Sequence, residues 1–547
     1  MKTICSDVLV VGGGIAGCPA AIRAREIGME VVVMEKQFLR RSGEAATGLD
    51  HLAIHFPGEG IEGKEMERMA RSTEGLMEPY FAKLVMERSY EMILRIEEWG
   101  VKVRDDKGEW IHYPSMFWEG NLHIEGGDIK AVFEKRTRDS GCSIHNRIML
   151  IDFLKRENRV IGGIGLNVRD GEIHIFLAKA IVITTGGCTR LYESPSQINY
   201  NRWRNPYNTG DGYGAAFRAG ARLKHMEFTM GTLIPKDYGS PGVNGFISAG
   251  AKLVNGLGER FMERYAGEAM ERTSRHHLAF AVFSEIREGR GPIFLDCRDL
   301  SEEKIALLFL GFRNEKPLLI RYLKDRGIDL RRNLLEIELS EPYVRGMMTG
   351  GIDVNQDFMT LCEGLFAAGD ATAYSSFYSG TGALVHGWIA GEMAADFSKE
   401  VEEPRPPPSS LLKDVEGQIK RPLGRKKGIP PQEIERNLQR IMTSYAQYDR
   451  NEEGLQQALQ RIASLREMAD KELMAKDVHE LVKAHEVLNM LEIGELVVRA
   501  AKERKESRMY LNHRRTDYPK RDDEHWRKHI LLKKDGDGIK LEHRELN

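Results

Sequence analysis

Short apolar runs that end in glycine occur at widely separated places along the chain. The first, SDVLVV (6–11), leads into a glycine turn and a helical stretch that ends at Gly28, and EVVVMEK (30–36) follows. Two more runs, KAIVITTGG (179–187) and GLFAAGDAT (364–372), come much later. Runs of this kind are typical of buried strands. We therefore predict an α/β fold in which one sheet is assembled from distant segments.

The stretches between and after these strands follow other patterns. The strand pattern is lost after Leu223, where we expect an inserted α+β domain that caps the sheet. EEPRPPPSS (402–410) is typical of a linker. Beyond it, apolar residues such as Leu455, Leu459 and Ile462 recur at helical spacing. The predicted division is 1–222 and 346–400 for two parts of the sheet domain, 223–345 for the capping domain, 411–510 for a helical domain, and 511–547 for a charged tail on the surface.

Charge and composition exclude some classes of partner. The 547 residues include 80 basic and 82 acidic side chains, so neither a nucleic acid nor a membrane surface is the expected partner. The sequence shows no apolar run of membrane-spanning length and no signal-peptide pattern, so we expect a cytoplasmic protein without a transmembrane segment. The cysteines have no paired spacing, and we expect free thiols and no metal site at Cys5, Cys18, Cys142, Cys188, Cys297 and Cys362.

The first glycine turn carries a nucleotide-binding pattern. GGGIAG places Gly12, Gly14 and Gly17 in a G-x-G-x-x-G motif between a predicted strand and a predicted helix. Glycines let the backbone approach a pyrophosphate, which rests on the amino end of the helix. Glu35 ends the next strand, where a carboxylate accepts hydrogen bonds from a ribose. The sheet domain is therefore predicted to be Rossmann-like and to bind a dinucleotide.

A second pattern favours FAD over NAD. In AAGDAT a strand ends at Gly369 and Asp370, so that the carboxylate can reach a ribityl hydroxyl, and SGTGALVHGWIAG (379–391) then begins a helix directed at the flavin ring. An NAD-binding fold needs no such second contact. We predict FAD as the cofactor.

The chain resembles a family of flavoproteins over nearly its whole length. The segments TGDGYGAAFRAGA, GERFMERYA and GLFAAGDA are similar to the flavoprotein subunits of succinate dehydrogenase and fumarate reductase. RSGEAATGL, DVHELVKAHEVL and RRTDYPKRDDEHW are closer to the alpha subunit of adenylylsulfate reductase. The resemblance implies an FAD domain, a capping domain and a helical C-terminal region. It also implies cofactor contacts at Asp211, Ser42, Gly43 and Gly48.

The motifs and the resemblance together give one set of expected cofactor residues. These are Gly12, Gly14, Ile15, Ala16, Gly17, Glu35, Lys36, Ser42, Gly43, Thr47, Gly48, Thr185, Gly186, Gly187, Asp211, Gly369, Asp370, Ser379, Gly382, Ala383 and Leu384. Respiratory succinate dehydrogenases have a histidine that bonds covalently to the flavin at the place of Gly43. Because glycine has no side chain to form that bond, we expect FAD to be held noncovalently.

The stretch ERTSRHHLAF (271–280) is the predicted catalytic segment. The resemblance aligns Arg275 with the arginine that transfers a proton beside the flavin in the dicarboxylate enzymes. A guanidinium there can also hold a carboxylate, sulfate or phosphate at two points. His276 and His277 are further catalytic candidates. A surface role for the arginine and a structural role for the histidines remain open alternatives.

Other parts of the family's substrate apparatus are replaced. Two histidines and an arginine of the dicarboxylate enzymes correspond to Thr232, to about Gly346 and to the neighbourhood of Tyr374. A tryptophan and a histidine of the adenylylsulfate enzymes correspond to Gly245 and Met348. We therefore expect a substrate pocket with different residues, which binds a small anionic substrate other than those of these two groups of enzymes.

The route of the electrons also follows from what the chain contains. The sequence has no second dinucleotide motif and no cluster of cysteines, so we expect electrons to pass to an iron–sulfur, ferredoxin-like subunit in a hetero-oligomer. The charged C-terminal segment either helps to form that interface or is a solvated tail. Alternatives to this kind of oxidoreductase are a substrate-free flavin relay in a larger complex, a fumarate reductase-like enzyme, and a stand-alone enzyme linked to quinones or thiols.

Overall fold

The computed structural model describes most of the chain. The described residues are 1–47, 49, 51–58, 62–112, 120–125, 128–196, 200, 202, 204–239, 243–345, 350–374 and 378–546.

The strands number seventeen within these residues. They are β1 Lys2–Val11, β2 Val31–Glu35, β3 His51–Ala53, β4 Asn121–His123, β5 Ser143–Asn146, β6 Ile148–Arg156, β7 Arg159–Asn167, β8 Ile173–Ile183, β9 Leu223–Lys224, β10 Leu233–Pro235, β11 Lys252–Val254, β12 Ile293–Asp296, β13 Leu335–Leu339, β14 Gly351–Ile352, β15 Leu365–Ala367, β16 Lys528–Asp535 and β17 Gly538–Glu545.

The α-helices number sixteen in the same part of the chain. They are α1 Gly17–Glu26, α2 Glu62–Ser72, α3 Pro79–Glu98, α4 Ile129–Asp139, α5 Asp211–Ala219, α6 Val243–Ala249, α7 Met262–Ala266, α8 Arg275–Arg287, α9 Glu302–Glu315, α10 Pro317–Asp325, α11 Ser379–Glu400, α12 Ser409–Lys420, α13 Pro431–Ala446, α14 Glu452–Glu472, α15 Val478–Glu503 and α16 Asp523–Trp526.

The central sheet joins segments that are far apart in the chain, as the apolar runs predict. Its order is β5-β2-β1-β8-β7-β6, and β15 also pairs with β8. The strands β2, β1, β8 and β15 run parallel to their partners in this set. Val8, Val10 and Val33 are fully buried because helices cover both faces of such a sheet. The fold is thus a Rossmann-like α/β domain.

A second, antiparallel sheet forms the core of the inserted α+β capping domain. Its order is β10-β13-β12-β11, all between Leu233 and Leu339. Helices α6 to α10 lie within the same interval of the chain. Phe246, Leu253 and Leu295 belong to a hydrophobic core that is separate from the core of the central sheet. This core is separate because the sheet buries its apolar face against its own helices.

The C-terminal region is helical and then ends differently from the prediction. In α14 the side chains of Leu455, Ile462 and Leu465 are buried, as the helical spacing predicts. The prediction of a charged surface tail is wrong. Strands β16 and β17 pair with each other, and β16 also pairs with β9 of the main body.

Burial explains this correction. Ile530 and Leu532 on β16 are fully buried, and so is the side chain of Arg515, which bonds to Asp517. The apolar run in β16 is short and lies among charges, so composition alone hides it. None of the described helices is both long and apolar enough to cross a membrane.

Candidate functional site

An open cleft lies at the carboxyl ends of β1, β2 and β8. Its volume is about 1450 Å³, including the solvent at its mouth. The cleft brings together residues that the sequence predicts for the cofactor. Those that line it are Gly12, Gly14, Ile15, Ala16, Glu35, Lys36, Gly43, Thr185, Gly186, Asp211, Asp370 and Ala383.

The glycine turn forms a cradle that only glycine permits. Gly12 has a φ of +102°, and a Cβ there would lie 2.6 Å from the carbonyl oxygen of Thr184. A Cβ on Gly17 would lie 1.9 Å from the carbonyl oxygen of Gly12. The bare backbone therefore faces the cleft at the amino end of α1, where unpaired N–H groups favour a pyrophosphate. The glycine turn therefore fits the pyrophosphate of the dinucleotide that the sequence predicts.

Glu35 and the loop after β2 fix this turn from the other side. One Glu35 oxygen accepts a hydrogen bond from the Gly13 N–H at 2.6 Å, and the other accepts from the Gln37 N–H at 2.7 Å. Ser42 Oγ donates to the carbonyl oxygens of Gly13 and Leu39. Ser42 is buried and supports the glycine turn, and its contact with the cofactor stays a prediction.

Lys36 and Asp211 meet on the wall of the cleft. The Lys36 ammonium lies 2.9 Å from Asp211 Oδ2 and 2.7 Å from an oxygen of Glu486. Burial opposes the charge on Lys36, but these two carboxylates raise its pKa. The ammonium is thus satisfied by the protein itself.

The late strand completes the cleft opposite the glycine turn. Gly369 has a φ of +64°, and a Cβ there would lie 2.7 Å from the Cβ of Ala16. Asp370 follows it on the wall of the cleft. The two cofactor motifs, about 350 positions apart in the sequence numbering, therefore touch.

The remaining predicted cofactor residues are placed less directly. Gly187 packs against the chain at Val344, where a Cβ would lie 2.2 Å from the carbonyl oxygen. Gly382 and Leu384 are not among the lining residues, and Leu384 is fully buried in the core. Gly48 lies outside the described residues, as do the side chains of Thr47 and Ser379. Gly346 and Met348 also lie outside them.

Arg275 begins helix α8 and lies close to a group of cations that line the cleft. Burial, and the neighbouring guanidiniums of Arg204 and Arg345, lower the pKa of Arg275 to about 10. Arg204 and Arg345 line the cleft, and Lys316 lines it from the capping domain. Arg275 itself is not among the lining residues and lies behind this group.

Tyr343 organises two of these arginines. Arg345 Nη1 donates to the Tyr343 hydroxyl at 3.1 Å, and the Arg204 guanidinium lies 5.3 Å from the centre of the Tyr343 ring. Arg204 also pairs with Glu44 at 3.3 Å. Sequence reasoning missed these residues, because no motif marks them and they come together only in the fold.

The two predicted catalytic histidines, His276 and His277, are not among the residues that line the cleft. His276 is buried, and its Nδ1 lies 2.6 Å from the carbonyl oxygen of Tyr510. His277 Nδ1 lies 3.1 Å from Thr273 Oγ1. Burial lowers the pKa of His276 to about 4, so the ring is neutral near pH 7. The His276 contact joins α8 to the C-terminal segment, and the His277 contact is local to the start of α8.

The described part of the chain contains no cluster of potential metal ligands. No group of three or more histidine, cysteine, aspartate or glutamate side chains is arranged there to hold a metal ion. All six cysteines are free thiols, and five of them are buried.

Comparison with known proteins agrees with the cleft. The family model of the FAD binding domain matches residues 7–385, and that of the fumarate reductase flavoprotein C-terminus matches residues 435–547. An uncharacterized FAD-dependent oxidoreductase of Methanocaldococcus jannaschii is 28% identical, over 97% of this chain and 96% of its own length. A chain of the fumarate reductase (CoM/CoB) of Methanothermobacter marburgensis is also 28% identical, over 96% of each chain.

Solved structures share the fold. Adenylylsulfate reductase of Archaeoglobus fulgidus has a TM-score of 0.89 at 24% identity, over 100% of this chain and 96% of its own. Quinol fumarate reductase of E. coli has a TM-score of 0.86 at 22% identity, over 100% and 97%. The chain therefore belongs to the FAD binding domain family of FAD-dependent oxidoreductases, its C-terminal part matches that of the fumarate reductase flavoproteins, and FAD is its cofactor.

Proposed function

We propose that the protein is a flavoprotein subunit that exchanges two electrons between a small anionic substrate and an iron–sulfur partner protein. The cations that line the cofactor cleft at its mouth, with Arg275 close to them, carry this proposal; they are Arg204, Lys316 and Arg345. Each guanidinium has five N–H donors, so Arg204 and Arg345 can bind an anion in addition to the carboxylates of Glu44 and Asp370.

Each cation has its own proposed role, which follows from its position. Arg345 is 3% exposed and held by Tyr343, so its guanidinium is preorganised to orient an anion. Lys316 comes from the capping domain, so that domain contributes a positive charge to the same cleft. Arg275 has its pKa lowered to about 10, which makes its proton easier to give up than that of an exposed arginine. FAD, when bound, supplies the two-electron chemistry.

The alternative of a substrate-free relay has less support. A relay needs no residues that bind a substrate, whereas Arg204, Lys316 and Arg345 line this cleft. The relatives' names suggest which anions to assay first. One solved neighbour is described with sulfite, and the Methanothermobacter relative is named a fumarate reductase.

The experiment compares Arg275 with a nearby arginine. The purified full-length protein, loaded with FAD, is assayed with fumarate, sulfite and adenylylsulfate against a redox dye as the artificial electron carrier. Arg275→Ala is expected to lower turnover at least a hundredfold while FAD stays bound. Arg272→Ala changes an exposed arginine three positions earlier and is the matched control.

Two results contradict the proposal. Equal turnover in the two variants removes Arg275 from the reaction, and failure of every anion to oxidise or reduce the bound flavin favours the relay. The partner is tested separately, by purifying the protein from its native cell and measuring iron against flavin. Iron in the flavin-containing fraction supports an iron–sulfur partner, and its absence supports the stand-alone enzyme.

A further inference from the structure

We infer that Glu486 and Asn489 of the helical domain are positioning residues of the FAD cleft, acting through Lys36 and Asp211. This inference goes beyond the proposed function and does not depend on the substrate or on the electron partner. It concerns how the C-terminal domain takes part in holding the cofactor.

The Lys36 ammonium is fixed at one point by acceptors from separate parts of the chain. It donates to Asp211 Oδ2 at 2.9 Å, to Thr209 Oγ1 at 3.0 Å and to the Tyr207 carbonyl oxygen at 3.1 Å. Glu486 Oε1 of α15 lies 2.7 Å away. An ammonium has only three hydrogens, so these acceptors use all of them. Lys36 therefore acts on the cofactor through the wall that it holds in place.

Asp211 is also held by helix α15, through Asn489. Its Oδ1 accepts from Thr209 Oγ1 at 2.8 Å and from Asn489 Nδ2 at 3.0 Å. Glu486 and Asn489 are three positions apart on α15, so both side chains project from one face. Asn489 and Asp211 are 278 positions apart in the sequence. One helical turn of the C-terminal domain thus fixes two residues that line the cleft.

The charges continue from the cleft into the helical domain. Glu486 Oε2 accepts from Arg190 Nη1 at 3.0 Å, and Arg190 pairs at two points with Glu435 of α13. The side chains of Arg190, Glu435 and Glu486 are 0%, 3% and 3% exposed. Removing one charge from such a buried row leaves its neighbours less well compensated. Lys36 and the wall around it then shift to recover partners.

This arrangement links cofactor binding to docking of the helical domain. If α15 orders the wall that FAD touches, then FAD must stabilise the position of α15 by the same free energy, because binding linkage is reciprocal. The effect requires no contact between α15 and the cofactor. It predicts that variants at the junction weaken FAD binding although they lie outside the cleft lining.

The test measures FAD affinity in full-length variants. Glu486→Gln removes one charge and is expected to raise the dissociation constant of FAD about tenfold, equivalent to about 1.4 kcal/mol. Glu495→Gln is the control, because Glu495 lies on the same helix and pairs with Arg466 and Arg499, both of the helical domain. That variant should bind FAD as the unmodified protein does.

Further measurements separate positioning from a general loss of stability. FAD should slow amide hydrogen exchange in α15 of the unmodified protein and of Glu495→Gln, and do so less in Glu486→Gln. Glu486→Asp, which keeps the charge, should recover part of the affinity. If Glu486→Gln fails to fold, Asn489→Ala replaces it, with an expected loss of about threefold.

Equal FAD affinity in the Glu486 and Glu495 variants overturns the inference. So does exchange protection of α15 that is the same with and without FAD. Neither result bears on the proposed reaction, because both measurements use the flavin without substrate. Conversely, loss of turnover in the Arg275 variant leaves FAD affinity and the exchange of α15 as they were.

Discussion

Arg345 Nε lies 3.3 Å from Asp370 Oδ2, which joins the mouth of the cleft to the second cofactor motif. Asp370 lines the cleft, and Arg345 is 3% exposed beside it. The same carboxylate is thus placed both to accept a hydrogen bond from the cofactor and to orient an arginine of the cation group.

The first prediction concerns this pair. Asp370→Ala should weaken FAD binding about tenfold, because the flavin loses an acceptor and Arg345 loses the partner that orients it. Titration of the apoprotein with FAD, followed by flavin fluorescence, measures the change. Asp357→Ala alters an exposed carboxylate nearby in the sequence and should leave the affinity unchanged. A variant at Asp370 that binds FAD normally would show that the carboxylate serves Arg345 alone.

The attachment of the flavin is the subject of the second prediction. Gly43 lines the cleft and has no side chain to form a covalent bond with the flavin. Heat or acid denaturation should therefore release all of the flavin into the supernatant. The check is a denaturing gel viewed under ultraviolet light, and a fluorescent protein band would contradict a noncovalent site.

The third prediction uses the close approach in the glycine turn. In Gly17→Ala the new Cβ would meet the Gly12 carbonyl oxygen at 1.9 Å, so the turn must open and FAD should be lost. We expect a loss of about 1–3 kcal/mol in unfolding free energy, typical of overpacking. Gly63→Ala is the control, because no atom lies within 4 Å of its added Cβ. Measurements are flavin content after purification and urea unfolding of both variants.

The fourth prediction is a pH dependence of stability through His386. Burial lowers its pKa to about 3, and neither ring nitrogen has a hydrogen-bond partner within the described ranges. The unfolded ring has a pKa of about 6.5, so below that pH it binds a proton while the folded ring stays neutral. The contribution of His386 to the unfolding free energy is therefore fully present above pH 6.5 and decreases as the pH falls below it. The expected loss from this group between pH 7 and pH 5 is about 2 kcal/mol.

A single substitution tests that pH dependence. The His386 ring lies near the rings of Phe81 and Phe358, so phenylalanine is a compatible replacement. His386→Phe should match or exceed the unmodified protein in stability at pH 7 and lose less of it at pH 5. Urea unfolding at both values provides the comparison. If the unfolding free energy of both proteins decreases equally between pH 7 and pH 5, His386 is not the source of the pH dependence.

The fifth prediction compares a buried ion pair with an exposed one. Arg504 Nε lies 2.7 Å from Glu227 Oε1, and both side chains are fully buried. Arg504→Met should cost about 3–5 kcal/mol of unfolding free energy, because it leaves the Glu227 carboxylate buried without this partner. Arg71→Ala, which breaks a pair with Glu67 that is 75% and 63% exposed, should cost less than about 1 kcal/mol. Similar losses in both variants would refute the assigned role of burial.

Local sequence patterns predicted the strands of the central sheet and the glycine turn correctly, because the residue types that these elements need are set by a few neighbouring positions. The run before Gly12 is apolar since its strand is covered on both faces, and the turn needs glycine since the backbone passes within contact of Thr184. Local patterns failed for the C-terminal strands. There the apolar face is short, and pairing with Leu223 and Lys224 determines burial.

The sequence by itself determined the Rossmann-like sheet and the cofactor class, and it singled out Arg275 as a candidate. Only the tertiary structure decided which side chains meet that arginine, and which turn of α15 supports Lys36. The physical reason is the range of the forces involved. Backbone conformation and hydrophobic periodicity act over a few residues, whereas ion pairs such as Lys36–Glu486 depend on packing between segments that the sequence separates by hundreds of positions.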